Sequence, residues 1–123
     1  MLLKIAFNDL SLHKILKKKG MSFFGLFGGD NGESSIEEYL KSGAVVIDVR
    51  TVAEFAGGHV NGSKNIVLNS IPAKIAEIKK MNKKVIAVCR SGARSGQATS
   101  FLKQQGIDVI NGGPWQNVNK FVN

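Results

Sequence analysis

Hydrophobic and polar positions along residues 34 to 122 switch repeatedly between helical spacing and short continuous apolar runs. Ser35 followed by Glu38 has the spacing of a capping box, with Ile36, Tyr39 and Leu40 on one helical face. Lys41-Ser42-Gly43 ends that helix. Ala44-Val45-Val46-Ile47 is apolar throughout and reads as a strand buried on both faces of a parallel sheet. Thr51 caps a short helix from Val52 to Ala56, which Gly57-Gly58 breaks. His59 to Ser63 forms a turn, and Asn65 to Leu68 a short strand. From Ser70, the positions Ile71, Ile75 and Ile78, with Pro72 in the first turn, predict an amphipathic helix. Met81 to Lys84 is a turn, and Val85-Ile86-Ala87-Val88 a second buried strand. A helix follows over roughly Arg94 to Gln105, burying Ala98, Phe101 and Leu102 before Gly106 stops it. Ile107 to Ile110 is a last strand, Gly112 to Trp115 a turn, and Trp115, Val118, Phe121 and Val122 mark a final short helix.

Strands alternating with helices predict an α/β fold, a parallel sheet with helices on both faces. The chain of 123 residues has room for one modest core, assigned to a domain at 34–123. Residues 1–33 are read as a basic, Phe/Gly-rich tail and linker. Within residues 2–16 the apolar positions are only weakly amphipathic. A membrane-surface helix is one reading; a loosely ordered tail, with the true start at Met21, is the preferred one. Phe23, Phe24 and Phe27 in the linker would suit packing on the domain or on a partner.

Charge changes this picture modestly. The formal net charge is +8, and Lys4, Lys14, Lys17, Lys18 and Lys19 against Asp9 place half of it in the first twenty residues. The balance could favour nucleic acid, an anionic membrane or small anions; the body carries no basic stripe interleaved with aromatics, which argues against nucleic acid. No apolar run approaches the ~18 residues of a membrane span, and the N-terminus lacks the pattern of a secretory signal. A single cysteine excludes an intrachain disulfide framework and suits a reducing, cytoplasmic setting. Two histidines and one cysteine assemble no zinc-ligand spacing, and the sequence calls for no cofactor.

That cysteine opens the stretch Cys89-Arg90-Ser91-Gly92-Ala93-Arg94-Ser95, between a buried strand and a helix. A free cysteine is usually an inert core residue. Here it lies at a strand's C-terminal end, where α/β sheets place ligands, and at a helix mouth beside two arginines, which favour the thiolate. Ser91, Gly92 and Ala93 are small enough for the backbone to curl, so that successive N–H groups make a nest for an anion.

The sequence resembles the single-domain rhodaneses, a family of sulfurtransferases. The resemblance rests on Val46-Ile47-Asp48-Val49-Arg50, on Glu54-Phe55, and on Gly58-His59-Val60 followed by Gly62 and Asn65. It continues through Val85 to Ser95 and ends on Gly112-Gly113 with Trp115. It implies a rhodanese-like sheet of about four to five strands. It also implies a two-step cycle. Cys89 takes the outer sulfur of a donor such as thiosulfate as a persulfide, and a thiol or cyanide then removes it. Under that resemblance the N–H groups from Arg90 to Ser95 hold the persulfide, Arg94 shapes the loop or meets the anion, and Arg90 adds positive potential. Asp48, Arg50, Glu54 and His59 match further family positions. They would support the loop, or form a polar network tying strand ends to loops, which is the preferred reading. Trp115 is expected in the core or as a lid.

Two rivals stand beside this. Cysteine phosphatases and arsenate reductases use a similar loop, usually Cys-x5-Arg; here the spacing is Cys89-x4-Arg94, a smaller ring better matched to one sulfur than to a tetrahedral phosphate. The other is a protein-to-protein sulfur carrier or binding module, for which the basic tail would serve as a docking segment to a protein acceptor.

Overall fold

The computed structural model describes residues 33–122. The weakly amphipathic stretch at 2–16 and the linker before residue 33 lie outside the described residues. Helix α1 runs Glu33–Lys41, strand β1 Val45–Asp48, helix α2 Val52–Ala56 and strand β2 Lys64–Asn65. A 3-10 stretch, Leu68–Lys74, leads into α3, Ile75–Met81. Strand β3, Val85–Cys89, is followed by α4, Ala93–Gln104, β4, Val109–Pro114, and α5, Trp115–Val122.

The four strands form one sheet in the order β2-β1-β3-β4, all neighbours parallel. Every residue of β3 is buried because the strand is central and covered on both faces. Its side chains alternate between two cores, as the period of two demands. Val85, Ala87 and Cys89 join Ile47, Ile71, Ile78, Ala98 and Leu102, under α3 and α4. Ile86 and Val88 join Ile36, Val46, Val60 and Val118, under α1 and α5. Fully burying such aliphatic side chains contributes ~1.5–3 kcal/mol each, which is why unbroken apolar runs become the middle of the sheet.

Several local expectations are corrected. Ser35 lies inside the first turn of α1 and not at its cap, since the helix opens at Glu33. Strand β2 is only two residues long; beyond it Ile66 N and Leu68 N still donate to the Asp48 and Val49 carbonyls, and the 3-10 stretch takes over at Leu68. Pro72 falls inside that stretch, and the α-helical part begins only at Ile75. The segment Gly112-Gly113-Pro114 is strand and not turn. Its pairing with β3 jumps, with Ala87 opposite Asn111 but Val88 opposite Gly113, so Gly112 is the extra residue of a bulge. A Cβ on Gly112 would stand 2.8 Å from Ile86 Cγ2 and 3.0 Å from Val88 Cγ1, so only glycine lets β4 lie this close to β3. The capping box occurs at α2: Thr51 Oγ1 accepts from Glu54 N, and the Glu54 carboxylate accepts from Thr51 N.

Candidate active site

Cys89 is the last residue of β3, with its side chain 0% exposed. The chain then turns through Arg90 and Ser91 to Gly92, whose φ of 103° caps α4. Glycine is required there: the left-handed angle disfavours any Cβ, and one would stand 3.3 Å from Gly113 Cα. The turn folds the start of α4 back over the sulfur. Cys89 Sγ accepts from Gly92 N at 3.0 Å and from Ser95 N at 3.3 Å, and Ser95 Oγ lies 3.3 Å away. Burial pushes the thiol up. Ser95, through its hydroxyl and its backbone N–H, and the N–H groups of Gly92 and Ser91 more than offset this, so the thiol lies below its ordinary value.

The other residues expected at the site have different surroundings. Arg94 and Ser95 belong to the first turn of α4. Arg94 turns away to Glu54 in a two-pronged ion pair, Nη1 to Oε1 at 2.9 Å and Nη2 to Oε2 at 3.0 Å. Arg94 and the Thr51 N–H together draw the Glu54 carboxyl down to about 2 from 4.5. The pair clamps α2 to α4 across 40 residues of sequence. Arg90 is exposed and lines a cleft of about 290 Å³ with Arg50, Ala53, Glu54 and Trp115.

Asp48 and Arg50 make a buried pair one layer beneath. Arg50 Nη2 donates to Asp48 Oδ2 at 2.7 Å and to the Gly58 carbonyl at 2.8 Å. Its guanidinium also lies over the Trp115 ring, 5.2 Å from the centroid. Asn65 Nδ2 donates to the carbonyls of Asp48 and Arg50, both at 3.0 Å. This network ties the ends of β1 and β2 to the Gly58 turn and gives Trp115 a place at the cleft wall. His59 is exposed, stacks on Phe55 at 3.7 Å, and holds the Phe55 carbonyl through Nδ1 at 2.8 Å. It is a satisfied turn histidine, and these contacts give it no share in the sulfur's surroundings.

One residue at the site went unread in the sequence. Asn111, on β4, lies within hydrogen-bonding distance of Ser95 Oγ, Gly92 O and Gly113 N. The hint was a polar residue inside an apolar strand, Val109-Ile110-Asn111, with two glycines after it. Its aim toward the loop depends on the bulge at Gly112, which the strand pattern did not disclose.

The site is therefore a buried sulfur in a ring of backbone N–H groups, at the C-terminal edge of a parallel sheet. Comparison with known proteins agrees with that class. The rhodanese-like domain family matches residues 34–114, and the chain belongs to it. Among its relatives is a sulfurtransferase of Allochromatium vinosum, 42% identical over 66 residues, covering 54% of this chain and 61% of that protein. A thiosulfate sulfurtransferase GlpE of Stutzerimonas stutzeri is 33% identical over 69 residues, covering 56% of this chain and 62% of that one. The match thus spans less than two thirds of either relative's length. The crystal structure of a rhodanese-related protein from Thermoplasma volcanium superposes with a TM-score of 0.61 at 28% identity, covering 73% of this chain and 89% of that chain. Among the described residues, no helix is long and apolar enough to cross a membrane.

Proposed function

We propose that the protein is a sulfurtransferase that carries sulfane sulfur on Cys89, taking it from a small anionic donor such as thiosulfate. The observation that carries this reading is the convergence of the Gly92 and Ser95 N–H groups on Cys89 Sγ. Those donors stabilise a thiolate before reaction. After reaction the same ring suits the inner sulfur of a persulfide. In the first step the thiolate attacks the outer sulfur of thiosulfate. A new S–S bond forms, and sulfite leaves with the electron pair of the old one. In the second step a thiol or cyanide attacks the terminal sulfur, and Cys89 leaves as the thiolate. A relative named as a thiosulfate sulfurtransferase supports the choice of donor. Arg90, exposed at the cleft, is the cation offered to an incoming anion. Arg94, engaged by Glu54, acts on the loop's shape and not on the substrate. A thiol kept in this working state suits a cytoplasmic location.

Cys89 is fully covered, so a donor reaches it only after atoms of the loop shift. This favours a small donor over a bulky one. The test is intact mass spectrometry after treatment with thiosulfate. The expected product is one sulfur atom heavier on Cys89, reversed by cyanide and missing in Cys89→Ser. A wild-type protein that takes up no sulfur rejects thiosulfate as donor. Cys89-dependent hydrolysis of an aryl phosphate would move the protein to the phosphatase class. A chain lacking residues 1–32 that loses transfer to a protein acceptor, while keeping transfer to cyanide, would give the tail a docking role.

A further inference from the structure

Asn111 makes three contacts, and its partners fix which way its amide faces. Gly113 N donates to Oδ1 at 2.9 Å, and Nδ2 donates to the Gly92 carbonyl at 3.1 Å. A backbone N–H only donates and a carbonyl only accepts, so the assignment of O and N has no alternative. Ser95 Oγ stands 2.7 Å from the same Oδ1, which is an acceptor only, so the Ser95 hydroxyl proton points at Asn111. A serine has one such proton. While it points at Asn111, Ser95 Oγ offers Cys89, 3.3 Å away, a lone pair and no donor. That arrangement suits the thiol, whose S–H donates to Ser95 Oγ. A thiolate needs the reverse: once the thiol proton has gone to solvent, the hydroxyl must rotate onto the sulfur and give up Asn111.

We propose that Asn111 is a positioning residue that competes with Cys89 for the Ser95 hydroxyl and so sets how readily the sulfur ionises. The competition is between two acceptors on either side of one rotor. Oδ1 holds the hydroxyl in the resting loop, and a negative sulfur takes it. The bulge at Gly112 aims Asn111 at the loop, and Gly96 leaves space for it, since a Cβ there would come within 3.3 Å of Nδ2. The charged groups around the sulfur lie elsewhere. They are Arg94 on α4 with Glu54 on α2, Arg90 in the loop, and the Asp48–Arg50 pair at the end of β1. Strand β4 carries no ionisable side chain. A neutral change such as Asn111→Ala therefore alters the rotor without altering the local charge, whereas Asn111→Asp adds a charge whose effect the Ser95→Ala background isolates. From the proposed function this inference takes only that Cys89 works as a thiolate.

The experiment is a pH titration of the ultraviolet thiolate absorbance of the full chain, with Cys89→Ser as the blank. Asn111→Ala is expected to lower the midpoint by about half a unit to one unit, or about three- to tenfold more thiolate below it. Ser95→Ala is expected to raise the midpoint, and adding Asn111→Ala to it should then change nothing. Mere loosening of the loop would misplace the Gly92 N–H, raise the midpoint, and do so with or without the Ser95 hydroxyl; either result overturns the proposal, as does no shift. Asn111→Asp retains Oδ1 and strengthens it as an acceptor. It should raise the midpoint, and by less when Ser95 is alanine; an equal rise in both backgrounds overturns the proposal even if Asn111→Ala does not fold. Sulfur uptake on the same samples separates the two claims. Wild type that takes up no sulfur yet shows these shifts keeps the rotor and loses the proposed function. Normal uptake without the shifts does the opposite.

Discussion

The two ends of the parallel sheet each carry a cleft, and the two differ in kind. At the N-terminal ends of β3 and β4 the cleft is the larger, about 420 Å³, lined by Lys79, Lys83, Lys84, Gly106 and Asp108 among others. At the C-terminal ends the cleft is about 290 Å³ and adjoins the Cys89 loop through Arg90. A helix that carries the chain from one parallel strand to the next starts at the C-terminal edge of the sheet and ends at the opposite edge, as α4 does between β3 and β4. Free N–H groups therefore gather at the C-terminal edge, where Gly92 and Ser95 converge on sulfur. Carbonyl ends gather at the opposite edge, and Lys79 and Lys80 in the last turn of α3 and Lys103 in α4 complement them. Lys79 thus lines this cleft because a helix ends there. The proposed function rests on those converging donors and not on cleft volume.

The strongest way to break this contrast is to remove the foundation of the C-terminal edge. Asp48→Ala leaves Arg50, a residue 5% exposed, without its carboxylate. The expected loss is about 3–5 kcal/mol of stability in denaturant unfolding. A loss under about 1 kcal/mol would show that the pair is not what holds this edge.

Gly92→Ala strikes the loop directly. Its φ of 103° and the approach to Gly113 should cost about 1–3 kcal/mol. The displaced N–H should also raise the titration midpoint of Cys89. An unchanged midpoint would mean that Gly92 N is not a significant donor to the sulfur.

Arg94→Ala is expected to lower kcat/KM for thiosulfate by up to about a hundredfold, as misplacing a site can do. Arg90→Ala should act less on kcat and more on KM. Equal losses would show that the clamp and the mouth are not separable. The clamp also has a pH signature. Because the Glu54 carboxyl is drawn down from 4.5 to about 2, its ionised form favours the folded state. That contribution is complete above 4.5 and is lost as pH falls toward about 2. The stability difference between wild type and Glu54→Gln should shrink over that window; a constant difference would contradict it.

The smallest effect is expected at the other edge. Lys79→Ala with Lys83→Ala should leave sulfur transfer unchanged and stability within about 0.5 kcal/mol per substitution. A large fall in transfer would make the lysine cleft part of the function.

How much was legible in advance follows the range of the interactions. The strand at Val45–Asp48 and the helix at Val52–Ala56 could be read closely because apolar runs and a Thr51 cap act within a few residues. The end of the chain was read less well. Gly112-Gly113-Pro114 looks like a turn by composition, and it becomes strand because β3 lies beside it and leaves no room for a side chain at Gly112. At the site, Cys89 and its small-residue loop were visible from local spacing. The partner of Arg94 was not, since Glu54 lies 40 residues earlier. Glu54 itself was read only as a supporting residue. Asn111 was not read at all.

The sequence by itself determined the alternation of buried strands and amphipathic helices, and with it a parallel sheet whose Cys89 must stand at the edge where helices begin. Periodicity, caps and glycines are local, and they suffice for that. Tertiary structure decided which groups share the sulfur's surroundings. It sent Arg94 to Glu54, left Arg90 at the mouth, kept His59 on Phe55, and brought Asn111 to Ser95 through a one-residue bulge. A side chain's partner depends on distances set by the packing of whole elements, and no short stretch of sequence contains them.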